Sequence, residues 1–294
     1  LPQPAWTVRH PDHRLGSHAG AAHRAGDVRA RHGDLHRRLA DPGTAGAKIA
    51  ASAALPLITA NADNALFKYV GAPNNNPLSN DVPPRSARQD FVMANTLVDE
   101  MNTLNDPRRA AYFTTVGGEY VGGKYGFSNV YANFSTFSTK VTATTFPGNM
   151  LDASEVNFLL AEAVERGFIT GDAKSYYDAA ITASLAYWGV TGVEDYLAQA
   201  TVDYSNAGSG ASWQEKIGTQ KWIALYNRGF DAWTEWRRLD FPVLVAPDAS
   251  GVPPIPKRLI YPIIENSLNA ANTKAAAAAI GGDDSATRLF WDVK

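Results

Sequence analysis

Glu155-Val156-Asn157-Phe158-Leu159-Leu160-Ala161-Glu162-Ala163 is the stretch whose reading decides the fold. Val156, Leu159, Leu160, Ala163 and Val164 recur at helical spacing and predict one apolar face. Asp152-Ala153-Ser154-Glu155 reads as a capping box with Asp152 in the capping role, and Gly167 stops the helix. After Gly171, Asp172 caps a second helix with the stripe Tyr177, Ala180, Ile181, Ser184, Leu185 and Trp188, which Gly189 ends. Two amphipathic helices joined by a short turn make a helical hairpin, the unit of TPR-like stacks. No copies align at a fixed period, so the TPR likeness is one of shape.

Working outward, Ser212 caps a third helix expected from Trp213 to Asn227. Its end, Trp222-Ile223-Ala224-Leu225-Tyr226, is apolar nearly all round and so expected to be buried. Gly229 is expected to break it, and Asp231 to Leu239 forms another short helix closed by Phe241-Pro242. The tail, Pro253-Pro254-Ile255-Pro256 and Arg258-Leu259-Ile260-Tyr261-Pro262, must be extended or turning. Upstream, residues 61–84 are rich in Asn, Pro and Gly and read as loop. Ser86 to Leu104 carries Ala94, Leu97, Val98, Met101 and Leu104 at helical spacing, and Asn105-Asp106-Pro107-Arg108 ends that helix. Residues 111–146 alternate glycines with aromatics and are too glycine-rich for a helix. They read as a long excursion with short strands, a kind of segment that often carries function.

These motifs resemble the SusD/RagB family. The Glu155–Ala163 helix resembles its E-v-x-F-L-x-A-E-A element, and Tyr176-Tyr177-Asp178-Ala179-Ala180-Ile181 resembles the Y-Y-x-x-A-I helix that follows. Ile217-Gly218-Thr219-Gln220-Lys221-Trp222-Ile223-Ala224-Leu225 resembles I-x-x-Q-K-W-I-A-L. Glu235-Trp236-Arg237-Arg238-Leu239-Asp240-Phe241-Pro242 resembles E-W-R-R-x-x-x-P. Ile255-Pro256-Lys257-Arg258-Leu259-Ile260-Tyr261-Pro262, with Glu265 and Asn269, resembles the closing I-P-x-R-x-x-Y-P-x-x-E-x-x-x-N. The resemblance implies a mainly α fold, a TPR-like helical stack of the SusD type, with the Gly/Tyr-rich excursion and short strands added. It implies a lipoprotein on the outer face of the outer membrane in Bacteroidetes-type bacteria. Such a protein captures oligosaccharide or another small nutrient for a SusC-like TonB-dependent transporter and catalyses nothing. The competing expectation is a TPR-like scaffold that binds only protein.

Composition bounds the rest. The chain has 294 residues and a net charge of −2, which argues against nucleic acid as a partner. It holds no cysteine, so disulfides, thiol catalysis, Cys-ligated zinc and the family's lipid-bearing N-terminal cysteine are all absent from this sequence. All 6 histidines, His10, His13, His18, His23, His32 and His36, fall in the first forty residues. That stretch, rich in Arg, Ala, Gly and Pro, is read as frame-shifted or misassigned and disordered, with a basic arm as the competing reading. His32 and His36 have the spacing of helical metal ligands, but no H-E-x-x-H motif supports them, and no metal or cofactor is expected. Residues 41–294 are expected to form the C-terminal portion of a SusD-like domain.

No catalytic residue is assigned. G-x-S-x-G and P-loop patterns are missing, and Glu155, Glu162 and Glu165 read as polar or ion-paired helix positions rather than as a glycosidase pair. Glu162, between apolar neighbours, is expected to be partly buried and paired with Arg237 or Arg238, forming a structural clamp in which one arginine stacks on indole beside Trp236. The ligand surface is expected in the excursion, with Tyr120, Tyr125, Phe127 and Tyr131 stacking on sugar rings and Asn129 and Asn133 bonding hydroxyls.

Overall fold

The computed structural model describes residues 42–206, 211–247, 254–289 and 291–292. The expectations for residues 1–40, His32 and His36 included, lie outside the described residues. Among the described residues the chain is mainly helical. Helices α1 (Pro42–Ala53), α2 (Pro77–Asp81), α3 (Asn95–Thr103) and α4 (Arg109–Tyr112) precede the excursion. Helices α5 (Ala153–Glu165), α6 (Ala173–Trp188), α7 (Val193–Leu197), α8 (Trp213–Ala224), α9 (Gly229–Leu239), α10 (Ile263–Leu268) and α11 (Ala270–Ala279) follow it. Two short strands, β1 (Ala65–Phe67) and β2 (Gly148–Leu151), pair antiparallel with Leu66 opposite Asn149 and an irregularity between Ala65 and Leu66.

The α5–α6 hairpin is the spine. Asp152 accepts from the Glu155 amide at 2.8 Å, and Asp172 accepts from the Lys174 and Ser175 amides at 3.1 and 3.2 Å, so each helix starts on its expected cap. All six stripe residues of α6 are buried, from Tyr177 to Trp188. Helix α5 differs from its expected single face: it is buried on nearly every side, and Leu159 and Val164 of the expected stripe are the residues left half-exposed. The reason is position, since α5 packs on α6 along one side and on α8 along another, while Ile58 and Leu151 join Val156 and Leu160 in a second core. Helix α8 in turn packs against α9.

Four further expectations shift. Helix α3 begins only at Asn95, because the preceding backbone is recruited into pairing with the excursion. Helix α8 stops at Ala224, and the break belongs to Asn227, in the left-handed region at φ 63°, while Gly229 opens α9. The strands expected inside 111–146 reduce to isolated bridges such as Phe113–Phe137, and the named strands lie outside it. The tail is non-helical from 254 to 262 as expected, but α10 and α11 follow it.

A buried polar knot joins these elements. Arg108 and Asp106 are both fully buried and paired, and Arg108 also donates to Ser184 on α6 at 3.0 Å and to Gln220 on α8 at 2.8 Å. Tyr196 on α7 donates to Asp106 at 2.9 Å. A buried pair of this kind is destabilising unless every group is satisfied, and here helices α6, α7 and α8 supply the further partners. Above it, Tyr112 stacks on Tyr226 at 4.1 Å and meets the edge of Trp188 at 4.6 Å, so much of the aromatic content is core.

Candidate functional site

The excursion is laced to the start of α3. Met93 donates to Ser135 O, Gly123 to Met93 O, Asn95 to Gly123 O and Ser135 to Val121 O, each at 2.8 Å. This close approach needs glycine: a Cβ on Gly122 would lie 2.3 Å from Asn95 Cα. At Gly126, φ is +79° and a Cβ would lie 2.7 Å from Pro247, so the excursion also presses on the segment after α9.

Between these contacts lies an open cleft of about 300 Å³, floored by α3 and walled by the Lys124–Tyr125 turn and residues 242–247. Its polar side holds Asn95, Thr96 and Glu100; its apolar side holds the Tyr125 ring, Pro242 and Pro247. Asn95 is steered by a hydrogen bond its Oδ1 accepts from the Tyr125 amide at 3.3 Å. The Tyr125 hydroxyl is buried and has no hydrogen-bond partner among the described residues. The Glu100 carboxyl is raised from its ordinary value, first by burial and then by the charge of Glu215 on α8. A cavity with an aromatic face, a proline wall and several uncommitted polar groups suits a small polyhydroxylated ligand.

The six residues expected to form a ligand surface do not gather at one place. Tyr125 lines this cleft. Tyr131 lines a second one of about 270 Å³, with Arg88, Phe91 and Phe137. Tyr120 lies against the body, edge-on to Phe113 at 6.4 Å and under the Arg109 guanidinium at 5.4 Å. Asn129 spends its amide on Lys124 O and Phe127 O at 3.0 and 2.9 Å, which holds the loop closed. Phe127 is exposed under the Lys124 ammonium at 4.2 Å, and Asn133 is exposed in a short 3-10 turn. Asn95, Thr96 and Glu100 were missed by the sequence reading. They lie on the polar side of α3, and the polar face of an amphipathic helix is ordinarily just solvated.

The clamp is divided between two neighbours. Arg238 is fully buried and binds both Glu162 and Glu235, and Lys221 binds Glu235 at 2.7 Å. Arg166 holds Glu162 from outside at 2.7 Å. Arg237 instead stacks on Trp233 at 3.7 Å and donates to Lys257 O at 2.8 Å, while the Lys257 ammonium sits 4.0 Å over Trp236. The other two carboxylates once weighed for glycosidase work are also engaged, Glu155 with Arg228 and Glu165 with the Tyr204 hydroxyl at 2.6 Å. Among the described residues no group of three or more His, Asp or Glu could hold a metal ion, and no helix is long and apolar enough to cross a membrane.

Comparison with known proteins places this architecture. A SusD homolog from Bacteroides uniformis is 30% identical, with a TM-score of 0.76, over 88% of this chain and 62% of its own. A second, from Bacteroides thetaiotaomicron, is 28% identical, with a TM-score of 0.75, over 88% of this chain and 63% of its own. A chitin-binding SusD homolog from Flavobacterium johnsoniae is 26% identical, with a TM-score of 0.73, over 88% of this chain and 61% of its own. The chain thus spans less than two thirds of the length of these relatives. No curated protein matches it. The model of the SusD-like family, described as starch-binding and associating with the outer membrane, matches residues 36–262, and the chain belongs to that family.

Proposed function

We propose that this protein is a non-catalytic glycan-capture subunit at the outer surface of the outer membrane. It passes oligosaccharide to a SusC-like TonB-dependent transporter and contacts it at the cleft between α3, the Lys124–Tyr125 turn and residues 242–247. The observation that carries the reading is the cleft itself, where Tyr125, Pro242 and Pro247 offer apolar faces beside Asn95, Thr96 and Glu100. Sugar rings stack their C–H faces on such surfaces and direct their hydroxyls to amides, hydroxyls and carboxylates. The non-catalytic reading is supported by Glu155, Glu162 and Glu165, each already bonded to a partner rather than facing another acid across a cleft. Membership of a family described as associating with the outer membrane supports the location.

Calorimetric titration with neutral gluco-oligosaccharides and chitin oligosaccharides tests the reading. Tyr125→Ala and Asn95→Ala should each weaken whichever ligand binds by roughly tenfold, the loss of one stacking or hydrogen-bonding contact. Unchanged affinity in both variants would reject this cleft.

The protein-scaffold reading is favoured by one observation. Leu259, Ile263 and Leu268, in and just before α10, are 70%, 82% and 79% exposed, an apolar row of the kind that packs on another protein. Co-purification with a protein partner that is lost on Ile263→Glu, with no binding of any oligosaccharide probe by the wild type, would favour this reading over glycan capture.

A further inference from the structure

Glu100 differs from the acids that brace the helices. Glu162 and Glu155 are locked to buried arginines, Glu235 to Lys221 and Arg238, and Glu165 takes a hydrogen bond from Tyr204. The Glu100 carboxylate has no hydrogen bond and no ion pair among the described residues, although it is half-buried in the lining of the cleft. Its charged neighbour is Glu215, in the first turn of α8, which is half-buried and of the same sign. Burial and this neighbour both act against the charged form, and nothing with a positive charge answers them. Lys124 lines the same cleft, but its ammonium lies 4.2 Å over the Phe127 ring.

A carboxylate with no cation bound to it suits a positive ligand. A divalent metal is disfavoured, because calcium takes about six to eight oxygens and no group of three acids gathers anywhere among the described residues. An organic ammonium needs a single carboxylate at hydrogen-bonding distance. The rest of the lining fixes what carries that ammonium: the Tyr125 ring, Pro242 and Pro247 present flat apolar walls, and Asn95 and Thr96 stand ready for hydroxyls. A volume of about 300 Å³ fits one or two sugar rings.

We propose that this cleft selects an amino sugar, a hexosamine unit with a free ammonium group, with Glu100 as its charge partner and Glu215 deepening the negative field. The inference rests on reading the cleft as the glycan contact and specifies the class of glycan. The Glu100 carboxylate accepts from the sugar ammonium, while Thr96 and Asn95 orient the ring hydroxyls.

The test is calorimetric titration of the full chain with three probes of equal length: a glucosamine tetramer, the fully N-acetylated tetramer and a neutral glucose tetramer. The glucosamine tetramer should bind roughly ten- to a hundredfold tighter than its acetylated counterpart, the effect of one charge-assisted hydrogen bond. Glu100→Gln should remove that preference, so that the free-amine and acetylated probes bind alike; Glu215→Gln should reduce it in part; Tyr125→Ala should weaken all three probes. Matching circular dichroism and melting curves establish that the variants fold. Equal affinity for the free-amine and acetylated probes in the wild type, or a preference that survives Glu100→Gln, overturns the inference alone, provided the neutral probes still bind and still depend on Tyr125. Failure of every probe to bind overturns both the inference and the glycan-capture reading beneath it.

Discussion

Glu162→Gln tests whether the charges at the junction of α5, α8 and α9 act as one balanced unit. Lys221 and Arg238 are 0% exposed, and Glu162 and Glu235 are 1% exposed. Arg166, 22% exposed, reaches Glu162 from the rim. Glutamine keeps the shape of Glu162 and removes its charge, so Arg238 and Lys221 are left to share Glu235 and Arg166 loses its carboxylate partner. Leaving a buried cation uncompensated costs about 3–5 kcal/mol. At about 2–4 °C per kcal/mol for a domain of this scale, the melting point should drop by about 6–20 °C. Arg238→Met is the contrasting change. Arg166 stays on Glu162 and Lys221 stays on Glu235, both at 2.7 Å, so each remaining charge keeps a partner. Its cost should fall in the ordinary range of about 0.5–3 kcal/mol. The assay is denaturant unfolding at neutral pH followed by far-UV circular dichroism, comparing midpoints at equal slope. The reasoning fails if Arg238→Met unfolds at the same or a lower midpoint than Glu162→Gln.

The same carboxylate sets a pH dependence. Burial raises the Glu162 carboxyl, but the charge and hydrogen bond of Arg238, with Arg166, override it and hold it at about 2, below the ordinary 4.5. A depressed acid stabilises the fold fully above its unfolded value, so this contribution is lost as pH falls from about 4.5 toward about 2. Unfolding curves at pH 6, 4 and 3 should therefore converge between wild type and Glu162→Gln, with no convergence counting against the assignment. Gly122→Ala should cost about 1–3 kcal/mol by forcing a Cβ to 2.3 Å from Asn95 Cα, and should speed amide exchange at Gly123 and Asn95. Gly167→Ala meets no atom within 4 Å and should cost about 1–2 kcal/mol through its φ of +69° alone, with exchange at those amides unchanged. Matching exchange profiles in the two glycine variants would contradict the lacing of the excursion to α3.

The local grammar of the helices was legible before any coordinates. Caps at Asp152, Asp172 and Ser212 and stops at Gly167 and Gly189 stand where their side chains and backbone freedom put them. These are short-range effects, carried by residues within one turn of each other. The stripe of α6 was equally readable, because that helix has one packed side. Helix α5 was not, because its second buried side is created by α8, about sixty residues later in the chain and invisible to periodicity. The choice between Arg237 and Arg238 was left open for a related reason. Adjacent helix residues point about 100° apart, and only the direction in which α9 packs decides that Arg238 enters the core and Arg237 meets Trp233.

The candidate site divides in the same way. Tyr125 was legible as an aromatic in a glycine-rich excursion, but so were Tyr120 and Tyr131, and the structure sends those two to the body and to another cleft. Asn95 and Glu100 lie off the apolar positions of their helix, where a polar face is ordinarily solvated. They become lining residues once the segment at 242–247 folds over them, and no local pattern encodes that approach. The sequence by itself determined that the chain is mainly helical, the caps of α5, α6 and α8, the stops of α5 and α6, and the family to which these helices point, since caps and stops depend on side chains acting on their own backbone. Tertiary structure alone decided which charges are buried together and which polar groups share a cleft. Those depend on contacts between segments far apart in the chain, 76 residues for Arg238 and Glu162, where packing geometry rather than spacing sets the neighbours.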